Sequence, residues 1–86
     1  MERHVWTERD DLAALYIYKY GEPPGMSIAG IASERGMSAD SLKMRVGNFK
    51  AIGSGSGLEH AAKQSEDVLG RYADLPQGEL YKLAFS

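Results

Sequence analysis

The residues best suited to contact a ligand lie in one short stretch, RGMSADSLKMRVGNFK, at positions 35–50. Four basic residues and one acidic residue give this stretch a formal charge of +3, whereas the whole chain carries −2 and the remainder therefore carries −5. Lys, Arg, Ser and Asn side chains bond phosphates and base edges, and basic residues gathered on one element of an acidic chain are typical of an anion-binding face. On charge alone, a solvated basic helix face is an equally good interpretation.

Neither catalysis nor metal binding is indicated by the reactive residue types. The chain has no cysteine, which excludes a thiol nucleophile, a disulfide framework and a thiolate zinc site. Its two histidines, His4 and His60, are not paired with carboxylates at the spacing of a metal site. We therefore expect no enzyme activity, no catalytic residue, no metal and no cofactor.

The glycine-rich run GSGSG at 53–57 has two interpretations. A nucleotide-binding loop needs a preceding strand and a following Lys-Ser or Lys-Thr pair, and here Leu58 follows instead. We interpret the run as a flexible connector. The alternative is that its backbone amides contact a DNA phosphate beside Lys50 and Lys63.

Length and composition describe one small globular domain. At 86 residues, with 43% hydrophobic and 26% charged residues, the chain is expected to bury about two-thirds of its unfolded surface. No apolar run approaches the roughly 20 residues of a membrane span, and the N-terminal MERHVWTERDD is too charged for a signal peptide. We expect a cytoplasmic protein without a membrane partner.

Helical periodicity and helix-breaking residues predict an all-α fold. We expect three core helices, at about 8–20, 27–35 and 38–51. These helices form a core at 1–52, and the connector at 53–57 follows it. Residues 58–86 are expected to add one or two C-terminal helices that pack on the core within the same domain.

Short polar residues and glycines mark the expected helix ends. Thr7 is the predicted N-cap of the first helix, and three acids of its first turn fit the helix dipole: Glu8, Asp10 and Asp11. Gly36 fits the left-handed position that ends the second helix, and Ser38 then caps the third. Ser65 is the predicted cap of a helix in the C-terminal extension. Because helix capping explains the three acids, they do not indicate acid–base catalysis.

The third helix has one apolar face and an unusual outer face. At 100° per residue, Leu42, Val46 and Phe49 share a narrow sector that we expect to face the core. On the opposite side lie Met44, which is apolar, and Gly47, which costs up to about 1 kcal/mol in a helix interior. A flat patch of this kind allows another surface to approach closely. Packing of Met44 under the glycine-rich loop or the last helix is the alternative.

The order Ala32, Gly36, Ser38 matches a helix-turn-helix arrangement. The alanine allows close contact between two helices, the glycine makes the turn, and the second helix of the pair projects into a major groove. Because three helices of suitable length are expected and the basic charge lies on the last, we interpret the core as a helix-turn-helix.

Two longer segments extend this pattern. WTERDD at Trp6–Asp11 and IAGIASERGMSADSLKMRVGNF at Ile28–Phe49 resemble the Myb/SANT-like fold, whose repeats open with a tryptophan and an acidic helix and end in a basic recognition helix. SLKMRVGNFKAI followed by GSGSGLEHAAKQSEDVL more closely resembles the N-terminal helical module of HNH-type restriction endonucleases. In that family a Ser-Val-x-Met-Lys-Leu-x-Asn-Phe segment precedes a glycine-containing loop and a Gly-Leu…Lys stretch. The similarity covers roughly residues 5–72.

The resemblance implies a DNA-binding role for five residues of the third helix, Ser41, Lys43, Met44, Arg45 and Asn48. The helix-turn-helix interpretation places this helix in the major groove of double-stranded DNA. The candidate DNA-binding residues are Ser41, Lys43, Met44, Arg45, Asn48, Lys50 and Lys63. We expect the basic residues to hold phosphates and the others to face base edges. Such a protein would be a stand-alone transcription regulator or a restriction-related DNA-recognition module. The chain lacks the His-Asn-His cluster of these relatives, so we expect it not to cut DNA.

A protein-interaction module is the alternative function. Myb/SANT-like folds also bind proteins, including basic tails, and most of this chain is acidic. Self-association into a homodimer is a version of this hypothesis, since helix-turn-helix proteins often work as dimers. Salt distinguishes the two functions, because phosphate contacts weaken steeply with rising salt and an apolar interface around Met44 should not.

Aromatic residues of the first helix are expected to serve packing. We expect Trp6 to anchor the core, and Tyr18 to be the one tyrosine of the first helix that faces outward.

Overall fold

Five helices and no strand form the parts of the chain that the computed structural model describes, residues 6–53 and 63–85. In chain order they are α1 (Glu8–Tyr20), α2 (Ile28–Glu34), α3 (Ala39–Gly53), α4 (Lys63–Tyr72) and α5 (Gln77–Phe85). The all-α prediction is therefore confirmed for these residues.

The local sequence of α1 explains both of its ends. Thr7 Oγ1 accepts the Asp10 backbone N–H at 3.1 Å, and the Asp10 carboxylate accepts the Thr7 N–H at 3.2 Å. This reciprocal capping box satisfies two donors that would otherwise lack partners. Gly21 follows the last helical residue with φ +82°, a conformation that glycine adopts without strain.

A four-residue link joins α2 to α3. Within it, Gly36 has φ +74°, and the Met37 N–H donates back to the Ala32 carbonyl at 3.0 Å. The Ser38 hydroxyl accepts the Ser41 N–H at 3.1 Å and so caps α3. The predicted roles of Gly36 and Ser38 are confirmed, and Ala32 is buried where α2 packs on α3.

The core is built around α1, which contacts α3, α4 and α5. Every residue of α1 from Asp10 to Ile17 is buried, as expected for a helix surrounded by others. All five helices contribute fully or nearly fully buried apolar residues, including Leu15, Ala32, Leu42, Phe49, Val68 and Leu80. Because α4 and α5 supply part of this core, the first three helices do not enclose it alone.

Both ends of α5 are held by hydrogen bonds. Near its start, Gln77 Nε2 donates to Tyr16 Oη at 2.9 Å. Near its end, the Ala84 carbonyl accepts Arg9 Nε at 3.3 Å and also the Arg35 guanidinium. The last carbonyls of a helix have no hydrogen-bond donor within the helix, and they lie at the negative end of its dipole. Here two arginine side chains supply the donors and the positive charge.

The structure corrects three local expectations. α3 continues through Gly53, which we had placed in the connector. Ser65 lies inside α4, where its side chain is buried, and it does not cap the helix. Tyr18 packs against the core and stacks on Phe49 with ring centroids 6.4 Å apart, whereas Tyr20 is 38% exposed. Tyr20 is therefore the outward tyrosine of α1.

Some predictions fall on other parts of the chain. The connector from residue 54 onward, His4 and His60 lie outside the described residues. Within the described ranges, no helix has the length and apolar character needed to cross a membrane.

Candidate nucleic-acid interface

The outer face of α3 is uncovered by the described part of the chain. Met44 is 73% exposed near the centre of this face, and Asp40, Lys43 and Gly47 are exposed around it. On the opposite side of the helix, Leu42 and Phe49 are fully buried. The helical projection therefore placed the two faces correctly, and Met44 does not pack under α5.

Gly47 has no packing role among the residues that the structure describes. A Cβ built at this position meets no described atom within 4 Å. Glycine in a helix interior costs up to about 1 kcal/mol relative to alanine. In the described ranges nothing requires the missing side chain, and its absence leaves the backbone of α3 open to close approach at this position.

A shallow cavity of about 180 Å³ runs along one edge of this face. Its lining consists of Trp6, Ser41, Met44, Arg45 and Asn48. The four α3 residues follow at spacings of three, one and three, which places them along one stripe of the helix. Four of the seven predicted DNA-binding residues therefore meet at one cavity. Ser41 and Asn48 are both partly buried beside it.

Arg45 lies in a different environment from the one we expected. Its side chain is 13% exposed, and its guanidinium makes a bidentate pair with the buried Asp11 carboxylate, at 2.7 Å from Nε and 3.1 Å from Nη2. The guanidinium also lies 4.3 Å from the centroid of the Trp6 ring. Since Arg45 is committed to an internal partner, we no longer assign it to phosphate.

Arg35 is likewise engaged with its own chain. Its Nη1 lies 3.0 Å from the Asp10 carboxylate, and its guanidinium lies 5.7 Å from the Phe85 ring centroid. Two of the four basic residues behind the +3 charge are therefore paired with acids of α1. The charged residues exposed on α3 are two bases, Lys43 and Lys50, and one acid, Asp40. The outward charge of the helix is therefore lower than the sequence indicated.

Lys50 and Lys63 are both exposed. Lys50 lies in the last turn of α3, and Lys63 is the first residue of α4. The residues between α3 and α4 that were expected to bring these lysines to a shared phosphate lie outside the described part of the chain.

Asp11 joins three helices, a role we had not expected from its sequence position. Besides Arg45 of α3, it accepts hydrogen bonds from Ser65 Oγ at 3.0 Å and from the Gln64 amide, both on α4. The signal was present in the helical spacing, because Asp11 lies four residues before Leu15 on the inward side of α1. The hydrogen bonds of Asp11 with Arg45, Gln64 and Ser65 hold α3 in position from its buried side.

No metal-binding group is found in the described residues: three or more His, Cys, Asp or Glu side chains do not come together in residues 6–53 and 63–85. Comparison with family models, with curated proteins and with solved structures found no match. The resemblance to Myb/SANT-like and HNH-associated modules therefore stays a prediction.

Proposed function

We propose that this protein is a DNA-binding domain of the helix-turn-helix type and that α3 enters the major groove. The observation that carries the proposal is the outer face of α3, where exposed Met44 lies beside Gly47. Among residues 6–53 and 63–85, neither residue serves packing at this face. A partner that approaches the backbone closely explains both.

The geometry of α3 suits a groove. Its 15 residues extend over about 22 Å, and the major groove, about 12 Å wide, admits one helix. A four-residue link with its turn at Gly36 follows α2, and the cap at Ser38 starts α3 directly after it. This supports the proposal, because a helix-turn-helix also joins its two helices by a short turn that often contains glycine.

Exposed polar residues supply the two kinds of contact that DNA binding requires. Lys43 and Lys50 are free to approach phosphates, which fix the position of a protein on the duplex. Asn48 borders the cavity beside Met44, and an asparagine amide can both donate to and accept from a base edge. Phosphate contacts by two lysines are few, so we expect modest affinity for each bound copy.

The charge-reversed variant Lys43→Glu plus Lys50→Glu tests the proposal. We expect it to abolish the binding of a fluorescein-labelled duplex in an anisotropy titration at low salt. A matched control, Arg71→Glu plus Lys82→Glu, makes the same change of net charge at exposed residues of α4 and α5 and should keep binding. Equal binding by the two variants would show that α3 is not the DNA-contacting helix.

A protein-interaction module is the second candidate, and the internal pairing of Arg35 and Arg45 favours it. With that pairing, the exposed apolar side chain of Met44 becomes the most distinctive feature of the face. The partner would be another protein or a second copy of this chain. Sedimentation velocity at rising concentration and salt tests the homodimer, which Met44→Glu should dissociate.

A further inference from the structure

We propose that α3 recognises the 5-methyl group of pyrimidines in the major groove, with Met44 as the contacting residue. This inference rests on the proposed DNA-binding function and names the substrate class: duplexes rich in thymine, or in cytosine that carries the same methyl group. It follows from the exposed apolar side chain of Met44, from the bare backbone at Gly47 and from the low positive charge of the outer face of α3.

The face offers an apolar contact at its centre. Met44 is 73% exposed, and its neighbours on the cavity side are Ser41 and Asn48. In the major groove the apolar feature that distinguishes one base pair from another is the thymine C5-methyl group. An unbranched, flexible thioether side chain adapts its shape to such a small apolar group.

Gly47 brings this contact within reach of the base edges. It lies three residues after Met44, on the same side of α3, and no side chain of the described residues lies within 4 Å of where its Cβ would be. A helix that approaches the floor of the groove closely places a side chain of Met44's length against base-edge atoms rather than against the phosphates.

Asn48 is expected to favour A·T base pairs, which are the base pairs that carry the thymine methyl group. Asparagine bonds the N6 and N7 atoms of adenine, and each adenine pairs with a thymine. About 6 Å of helix axis separates Met44 from Asn48, which is close to two base-pair steps of about 3.4 Å. One helical turn can therefore present an amide to adenine and a thioether to a nearby thymine methyl group.

The low positive charge on the outer face of α3 makes this apolar contact a larger part of the binding free energy. Arg45 and Arg35 are paired with Asp11 and Asp10, and the outward lysines are partly offset by Asp40. Because few phosphate contacts are available, a methyl contact is a larger share of the binding free energy than in a strongly basic protein.

The test is an anisotropy titration of the full chain with four duplexes of equal length. They are alternating A·T, the same duplex with deoxyuridine in place of thymidine, alternating G·C, and the same duplex with 5-methylcytosine. Each pair differs only in the methyl group. We expect the methylated member of each pair to bind about three- to fourfold more tightly for every methyl group contacted.

Met44→Ala should remove the methyl preference and keep residual duplex binding. Leu83→Ala is the matched control, since Leu83 of α5 is another exposed apolar residue, 44% accessible, and the preference should persist in it. Circular dichroism verifies that both variants are folded. Binding of all four duplexes with equal affinity by the wild type would overturn the methyl inference and leave the DNA-binding function intact. Absence of duplex binding by the folded wild type would overturn both.

Discussion

At the scale of single residues, Arg45 shows how a charge that was expected to bind a ligand can serve the fold instead. We expected Arg45 to hold a DNA phosphate and Asp11 to complement the helix dipole in the first turn of α1. In the fold, Asp11 is fully buried, and every described partner of its carboxylate is a hydrogen-bond donor: Arg45, Gln64 and Ser65. Arginine suits this position because its planar fork binds both carboxylate oxygens.

We expect Arg45→Met to lower the free energy of unfolding by about 3–5 kcal/mol, because it leaves the Asp11 carboxylate buried without its cation. The measurement is urea denaturation followed by circular dichroism. Lys43→Met serves as the control, since Lys43 is exposed on the same helix and its replacement should change stability by no more than about 0.5 kcal/mol. Similar stabilities for the two variants would contradict the structural role of Arg45.

At the scale of secondary structure elements, substitutions at two helix-interior glycines allow an effect on stability to be distinguished from an effect on DNA binding. Gly47 of α3 and Gly70 of α4 both have open space where a Cβ would stand. Both substitutions to alanine should therefore raise the free energy of unfolding, each by up to about 1 kcal/mol.

Binding should distinguish these two variants. Gly47→Ala is expected to weaken duplex binding by about 1–3 kcal/mol, because the added methyl group keeps α3 from its closest approach. Gly70→Ala should bind as the wild type does. Thermal melts and anisotropy titrations on the same preparations check both statements. Unchanged binding by Gly47→Ala would mean that the bare surface at this glycine is not a contact.

The C-terminal helix is as necessary to the core as the first three. Leu80 is fully buried, whereas Leu83, one turn later, is 44% exposed. We expect Leu80→Ala to cost about 2–5 kcal/mol of stability and Leu83→Ala less than about 1 kcal/mol. Chemical denaturation measures both. If Leu80→Ala were as mild as Leu83→Ala, α5 would not be part of the cooperative core.

At this scale, features that depend on residues close together in the sequence could be predicted, and features that depend on helix packing could not. The start of α1 at Thr7, the turn at Gly36 and the two faces of α3 follow from spacing and capping within a few residues, and the structure confirms them. The pairing of Arg45 with Asp11 joins residues 34 positions apart, so it depends on how α1 and α3 pack. Charge counted along the chain therefore overstated the charge that α3 presents to a ligand.

At the scale of the whole molecule, net charge limits how DNA can be bound. The chain carries −2, and its candidate phosphate contacts are reduced to Lys43, Lys50 and Lys63. Each phosphate contact contributes about −0.9 to the slope of log K against log salt. We expect a slope between about −2 and −3 per bound copy, from titrations at four or more salt concentrations.

A much steeper slope would require more cations than Lys43, Lys50 and Lys63 supply, and would move the interface elsewhere. A slope near zero, with binding retained, would leave the apolar contact at Met44 as the main source of affinity. Stoichiometry from sedimentation of the complex is the necessary control, since two copies on one duplex double the apparent slope.

The position of Trp6 has a practical consequence for such measurements. It is the one tryptophan of the chain, its ring lies against the Arg45 guanidinium, and it borders the cavity beside Met44 and Asn48. Indole emission responds to nearby charge and to water. The native protein therefore contains its own fluorophore at the edge of the proposed interface. Unlabelled DNA that displaces water from the cavity, and unfolding that removes the guanidinium, should each change the emission spectrum in a different way.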